Sequence, residues 1–322
     1  MLYKMDLLCV EDDLFSVVNI RLNLEQYQFK KRMSKLLRKN DERFTVIVGP
    51  AKIDQARERL YELQRPKFKG FIHSTLNDYL HSGFYRTVFD TWEIAVYDNQ
   101  TLASVSFFDL GENSVASLLG LIDPNYKKYS LGIYTMLYEL QHSINICKKW
   151  YYPGYILDKT SSFSYKLRLG DFEFYNSNRR WSKMNNYNAE HSVAFNVKSK
   201  IAELQKAFEK KKLNFDYRLY PYFSMGYMYT FQVKFVPYPI LLHSRLFTSK
   251  GVLFASYDLE KNQFAVFYAN QAEDYSQLVS MEMSEEYANP IYLNDLLQID
   301  AELNYFANAS DAAGFVRKKL KE

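Results

Sequence analysis

The sequence predicts an α+β protein: a mixed sheet covered by helices, with an appended C-terminal α+β domain. Three observations carry this. At Thr91 the hydrophobic period changes from helical to strand-like and holds for three consecutive strands. A helix, strand, helix, strand series follows. After Asn186 the texture changes again, and an amphipathic helix gives way to aromatic-rich strands. A chain of 322 residues holds about two domains and can bury a core without staples. Gly at 11 and Pro at 8 are too few for linkers or low-complexity tracts, while aromatic residues reach 17%.

A strand is predicted over 15–22 and a basic helical segment over 24–39. In the latter, Phe29, Met33, Leu36 and Leu37 form one apolar stripe. Lys30, Lys31, Arg32, Lys35, Arg38 and Lys39 fill most of the rest, six cations in ten residues. A strand at 43–48 comes next. Ile53, Ala56, Leu60 and Leu63 mark a helix stopped by Pro66, and Ser74 caps a short one through residue 80. The meander turns at Asp98-Asn99-Gln100 and Gly111-Glu112-Asn113, and ends at Asp123-Pro124-Asn125. Ser130 opens a long helix to about residue 149, with Tyr134, Leu137, Leu140, Gln141 and Ile144 inward. A strand at 150–157, a helix at 160–169 and a last strand at 172–175 and around Trp181 complete this part.

Beyond a boundary near 187–195, Val197, Ile201, Leu204 and Phe208 mark a helix. Strands at 227–235, 251–257 and 263–268 follow, the last two as a hairpin about 258–262. A short helix at 293–299 and a charged tail end the chain. The predicted organisation is 1–70, a strand and basic-helix region; 71–189, the main sheet; and 190–322, the appended domain.

The net charge is only +4, so the position of charge decides more than its sum. Two cysteines, Cys9 and Cys147, exclude a disulfide framework and a cysteine-built zinc site. Glu11, Asp12 and Asp13 interrupt any signal-like start, and no apolar run approaches about 18 residues. These features predict a cytoplasmic protein without a membrane span. The histidines His73, His81, His142, His191 and His243 do not fall at metal-ligand spacing, and no metal site is expected. GxSxG, P-loop, HExxH and GxGxxG motifs are absent.

Three segments can carry chemistry. At 129–134, Ser130, Leu131 and Gly132 stand at a strand-to-helix junction, where free N–H groups suit a phosphate or a carboxyl-type group. The plainer alternative is that Ser130 caps the helix and Gly132 packs closely. At 154–166, Asp158 ends a strand and could hold or deprotonate an amine. Tyr165 could stabilise a leaving oxygen, and Lys166 could pair with phosphate; alternatively Tyr165 is core and Lys166 solvated. The basic helix suits a phosphate backbone, or is a solvated face. The element order is also that of GNAT-type acyltransferases. Their acetyl-CoA turn has a second Gly two residues after the first, where this chain has Tyr134.

Asp123-Pro124, Ser130-Leu131-Gly132, Gly154-Tyr155 and Tyr165-Lys166, in this order and spacing, resemble the C-terminal domain of arginyl-tRNA–protein transferases and their bacterial leucyl relatives. Glu173 and Trp181 match that family's closing residues, and the likeness spans roughly residues 15–185. It departs in three ways. The family's N-terminal module carries several cysteines, in eukaryotic members an iron–sulfur or zinc site, whereas here only Cys9 remains. Phe163 stands where Met is usual, and 190–322 match nothing in the family.

The resemblance implies a GNAT-like fold and transfer of arginine or leucine from charged tRNA to a protein's N-terminal amine, as a degradation tag. It implies no cofactor beyond aminoacyl-tRNA. Asp158 and Tyr165 would be catalytic. Ser130, Leu131, Gly132, Tyr134, Tyr155 and Lys166 would bind substrate. Lys30, Lys31, Arg32, Lys35, Arg38 and Lys39 would bind RNA. A GNAT-type N-acyltransferase using acetyl-CoA and a non-catalytic RNA- or protein-binding relative are the competing readings.

Overall fold

The computed structural model describes residues 7–81, 87–227, 233–248, 251–273 and 282–321. They form two compact units, Val17–Tyr187, and Asn188–Glu322 together with the stretch that ends at Ser16. Strands β1 (Leu7–Val10) and β2 (Asp13–Asn23) open the chain. The 1–70 region is therefore not a body of its own: residues from Val17 onward join the main sheet, and the preceding stretch goes with the C-terminal unit.

The first unit continues with α1 (Lys31–Asp41), β3 (Thr45–Pro50), α2 (Gln55–Gln64), β4 (Phe71–Ile72) and α3 (Leu76–His81). The predicted meander is β5 (Asp90–Asp98), β6 (Thr101–Leu110) and β7 (Ser114–Ile122). Then come α4 (Leu131–Asn145), β8 (Trp150–Tyr152), β9 (Tyr155–Leu157), β10 (Glu173–Tyr175) and β11 (Trp181–Lys183). The sheet order is β11-β10-β2-β8-β7-β6-β5-β3, with β9 also on β2. This is a mixed sheet with helices packed on it, the α+β class predicted. The apolar side of α4, through Leu131, Tyr134, Leu137 and Leu140, closes the core over Ile20, Val96, Val115 and Tyr151.

One pairing is parallel. β7 runs beside β8 from Ser114↔Trp150 to Ala116↔Tyr152, and there the pairing stops. Pro153 and Gly154 break the strand, Gly154 at φ +85°. The chain resumes as β9, which pairs with β2 at Val17↔Leu157. The sheet therefore splits between the far half of β7 and β9. The predicted single strand at 150–157 is in fact two strands that diverge. The helix predicted at 160–169 is a 3₁₀ turn, Ser162–Arg168. The basic helix starts later than predicted, at Lys31. Gln141 of α4 is exposed, while Glu139 is fully buried.

The second unit holds α5 (Val193–Lys210), β12 (Phe215–Leu219), β13 (Ile240–Thr248), β14 (Gly251–Asp258), β15 (Gln263–Gln271), β16 (Glu282–Met283), β17 (Leu297–Phe306) and α6 (Ala309–Lys319). Its sheet is β12-β13-β14-β15-β17, antiparallel throughout. The predicted hairpin at 258–262 joins β14 and β15. The predicted helix at 293–299 is absent; β17 begins within it at Leu297. The charged tail is α6, capped by Asn308, with Ala309, Ala312, Ala313 and Val316 buried. Of the strand predicted at 227–235, residues 228–232 lie outside the described residues, and Phe235 makes an isolated bridge to Gln298. Among the described residues no helix is long and apolar enough to cross a membrane.

Candidate active site

The open end of the split is bordered by the turn that follows β9. Ser161 starts this turn with a capping box: its Oγ accepts from Phe163 N at 3.3 Å, and Ser164 Oγ accepts from Ser161 N at 3.0 Å. The turn lays Phe163 against Tyr155, with ring centroids 5.2 Å apart. It also brings Lys166 back over the strand. Lys166 Nζ donates to the Tyr155 carbonyl at 2.9 Å and lies 5.3 Å and 5.4 Å from the Tyr155 and Phe163 ring centroids. Burial lowers the Lys166 pKa to about 8. Lys166 is thus a partly buried amine that holds its proton less tightly than an exposed lysine. A Cβ on Gly154 would sit 3.4 Å from that Nζ. Gly154→Ala, at φ +85°, should cost about 1–2 kcal/mol in denaturant melts and disturb the seat of Lys166.

Tyr165, on the same turn, remains 39% exposed. Its hydroxyl has no hydrogen-bond partner among the described residues. Burial of the hydroxyl end and the Glu139 charge both raise its pKa, so it stays a proton donor. The alternative of a satisfied core tyrosine is not what the structure shows.

Other predicted residues are placed differently. Asp158 is buried, 6% exposed, and its charge helps raise the pKa of the Tyr187 hydroxyl, after burial. It is not an open carboxylate awaiting an amine. Tyr134 is fully buried; its hydroxyl donates to Asp41 Oδ1 at 2.7 Å, as does that of Tyr138. Tyr134 therefore ties α4 to α1 instead of touching substrate. Leu131, 1% exposed, belongs to the core. Gly132 packs closely, since a Cβ would lie 3.0 Å from Ile122 Cδ1. Ser130 is exposed in the left-handed region, φ 54°, and its side chain makes no cap hydrogen bond. The Ser130 carbonyl accepts from the Ile133 and Tyr134 N–H groups. The junction thus follows the plainer reading for Gly132, and Ser130 does not cap.

All six cations of the basic segment lie on the exposed side, opposite buried Met33. Lys30 reaches Asp171 at 3.1 Å, an exposed pair of little energetic weight. Cys9 is buried in the second unit, its thiol 3.9 Å and 3.7 Å from the Tyr220 and Pro239 carbonyls, and burial raises its pKa. That setting does not fit a thiolate metal ligand.

A group not anticipated from the sequence lies beneath the split. Glu139 of α4 is fully buried, and Tyr151 of β8 donates to its Oε2 at 2.7 Å. Ser106 of β6 and Ser117 of β7 also bear on it. Thr135, Glu139 and Ser143 recur every four residues, all buried. This polar stripe along an apolar helix is the signal that could have found it. His142, by contrast, stacks on Trp92 at 5.5 Å, and burial lowers its pKa.

The turn that borders the split lies within the part of the chain that matches known proteins, and those matches indicate an aminoacyl transferase. Residues 52–176 match the family described as Arginine-tRNA-protein transferase, C terminus. The chain is similar to an aspartate/glutamate leucyltransferase of Campylobacter jejuni, 23% identical over 52% of this chain and 74% of that protein. It is also similar to one of Saccharophagus degradans, 24% identical over 50% and 70%. A solved structure of a GCN5-related glucosamine N-acetyltransferase region, in a fungal multi-domain GH3 β-N-acetylglucosaminidase, overlaps 54% of this chain and 20% of that one. Its TM-score is 0.35 at 13% identity, too loose a likeness to support an inference.

Proposed function

We propose that the protein transfers an amino acid from charged tRNA to the N-terminal amine of an acceptor protein, in the cytoplasm, as a degradation tag. The observation that supports this reading is the coincidence of the family match with the split: Tyr155, Tyr165 and Lys166 all fall within 52–176. The relatives' names favour leucine as donor and N-terminal Asp or Glu as acceptor, with arginine the alternative donor.

In this reading the acceptor amine attacks the aminoacyl ester carbonyl. The Tyr165 hydroxyl donates to the oxygen that gains charge. The Lys166 ammonium bears on the terminal phosphate, and Tyr155 holds Lys166 in place. The reaction needs orientation and charge stabilisation, and no cofactor beyond the charged tRNA. Asp158 acts from inside the fold as a support. The second unit stands outside the chemistry.

The deciding experiment incubates the protein with peptides bearing N-terminal Asp or Glu and tRNA charged with labelled leucine or arginine, and in parallel with acetyl-CoA. Labelled peptide only in the tRNA arms is expected. Acetylated peptide would replace this reading with the acetyl-CoA one. Reversing three charges among Lys31, Arg32, Lys35, Arg38 and Lys39 should weaken tRNA binding and reduce its salt slope by about three. Unchanged affinity and slope would remove α1 from the RNA face.

A further inference from the structure

Arg21 stands on β2 at the level of the split. β8 pairs with β2 at Leu22 and Asn23, and β9 pairs with it from Val17 to Asn19. Arg21 lies between these two pairings, level with the Pro153-Gly154 break, and the N–H of neighbouring Ile20 reaches the Gly154 carbonyl at 3.4 Å. Burial alternates along this part of β2, with Val18, Ile20 and Leu22 in the core. Asn19 and Arg21 therefore lie on the other face of the sheet, and Tyr155, opposed to Asn19, shares that face. As diagonal neighbours across β2 and β9, Arg21 and Tyr155 are about 7–8 Å apart at the backbone. Lys166 sits over the same Tyr155 ring.

Two of the chain's three tryptophans enclose the Arg21 guanidinium. Its carbon lies 3.5 Å from the Trp150 ring centroid and 4.2 Å from that of Trp181. Tyr152 and Tyr175 brace Trp181 in turn, with centroids 5.8 Å and 5.3 Å away. Glu173, opposite Arg21 on β10, accepts from Nε alone, at 2.7 Å. Lys183, opposite Glu173 on β11, offsets that carboxylate's charge. Arg57 behaves differently: its Nε and a second nitrogen both donate to Glu93. The two terminal nitrogens of Arg21 donate to no acceptor among the described residues. The side chain is only 14% exposed, so donors left unmet there cost stability. The rings fix the guanidinium plane between them, and the group that fits its open edge is a flat one, a carboxylate that accepts from both nitrogens.

We propose that Arg21 is the specificity residue for the acceptor, its terminal nitrogens receiving the side-chain carboxylate of an N-terminal Asp or Glu while the α-amine stands at the split. The inference rests on the function proposed above and adds to it the residue that reads the acceptor's charge.

The test compares peptides beginning with Asp and with uncharged, nearly isosteric Asn in the transfer assay with charged tRNA. The wild type should favour Asp in kcat/KM by about 10- to 100-fold, as expected for hydrogen bonds to a charged group. Arg21→Met keeps an unbranched side chain between the rings. It should bring that ratio near one, chiefly by raising KM for the Asp peptide, and leave tRNA binding and its salt slope unchanged. A wild type without preference, or a folded Arg21→Met protein that still prefers Asp, would overturn the proposal. If the preference stayed and the tRNA salt slope fell by about one, Arg21 would be a phosphate contact instead.

A second readout needs neither a variant nor tRNA. Trp150 and Trp181 flank the site, so the Asp peptide should change the wild type's tryptophan fluorescence at concentrations where the Asn peptide does not. Equal responses, or none, would overturn the site even if every Arg21 variant failed to fold. A wild type that answers the Asp peptide but transfers from no charged tRNA would overturn the proposed function and leave the carboxylate site standing.

Discussion

Replacing Glu93 by alanine is expected to lower the stability of the first unit by about 3–5 kcal/mol. Glu93 on β5 faces Arg57 on α2, and each side chain is only 4% exposed. Arg57 Nε donates to Glu93 Oε2 at 2.7 Å, and a second guanidinium nitrogen donates to Oε1. The pair is bidentate, so it is fixed in geometry as well as in charge. Asp54, the cap of α2, takes the third guanidinium contact at 2.5 Å but is itself 47% exposed. Without Glu93 the guanidinium stays buried and loses its buried carboxylate partner. The same substitution frees the Lys52 N–H, which donates to Glu93 Oε2 at 3.2 Å. Urea unfolding of Glu93→Ala measures the loss. The double variant Arg57→Met, Glu93→Leu discriminates the cause: if uncompensated charge is what destabilises, it should recover most of the stability. A double variant as unstable as Glu93→Ala would mean that α2 is held by the pair's shape.

The parts of the fold that could be read from the sequence are those where burial and period coincide. The 91–122 meander alternates and is punctuated by Asp98-Asn99-Gln100 and Gly111-Glu112-Asn113, so its turns fall where β5, β6 and β7 end. The active-site frame was less legible, because it depends on a departure from regularity. Residues 150–157 read as one strand, although Pro153-Gly154 marks the break that sends β9 to β2 and opens the split. The motif alone places Tyr134 at the substrate. Its burial against Asp41, 93 residues away, is a long-range fact that spacing does not contain. Glu139 is hard to read from the sequence, because a lone acid on a helix is usually solvated; here the side chain is fully buried. In the second unit, a short helix is predicted over 293–299, but Leu297 onward pairs with β15, and tertiary pairing outweighs local propensity there. The tail Ala309–Lys319 looked like charge alone, yet Asn308 caps it and its alanines at helical spacing bury one face.

Tyr165→Phe is the substitution expected to separate chemistry from folding. The ring stays, and the hydroxyl it removes has no hydrogen-bond partner among the described residues, so stability should change by less than about 0.5 kcal/mol. That hydroxyl is nevertheless protonated at neutral pH, since burial and the Glu139 charge both oppose its ionisation. It stands on the turn that also seats Lys166 over Tyr155. A donor held unpaired in this position is preorganised for charge that develops only during reaction. Losing one such contact costs on the order of a hundredfold in rate, or about 3 kcal/mol of transition-state stabilisation. In the transfer assay kcat should therefore fall about that far while KM for charged tRNA stays put, the signature of an interaction made only in the transition state. A rise in KM with kcat unchanged would make Tyr165 a substrate anchor. An unchanged rate would remove Tyr165 from the chemistry, and the acyl-transfer geometry would have to be rebuilt around Lys166 and the other polar groups of the turn.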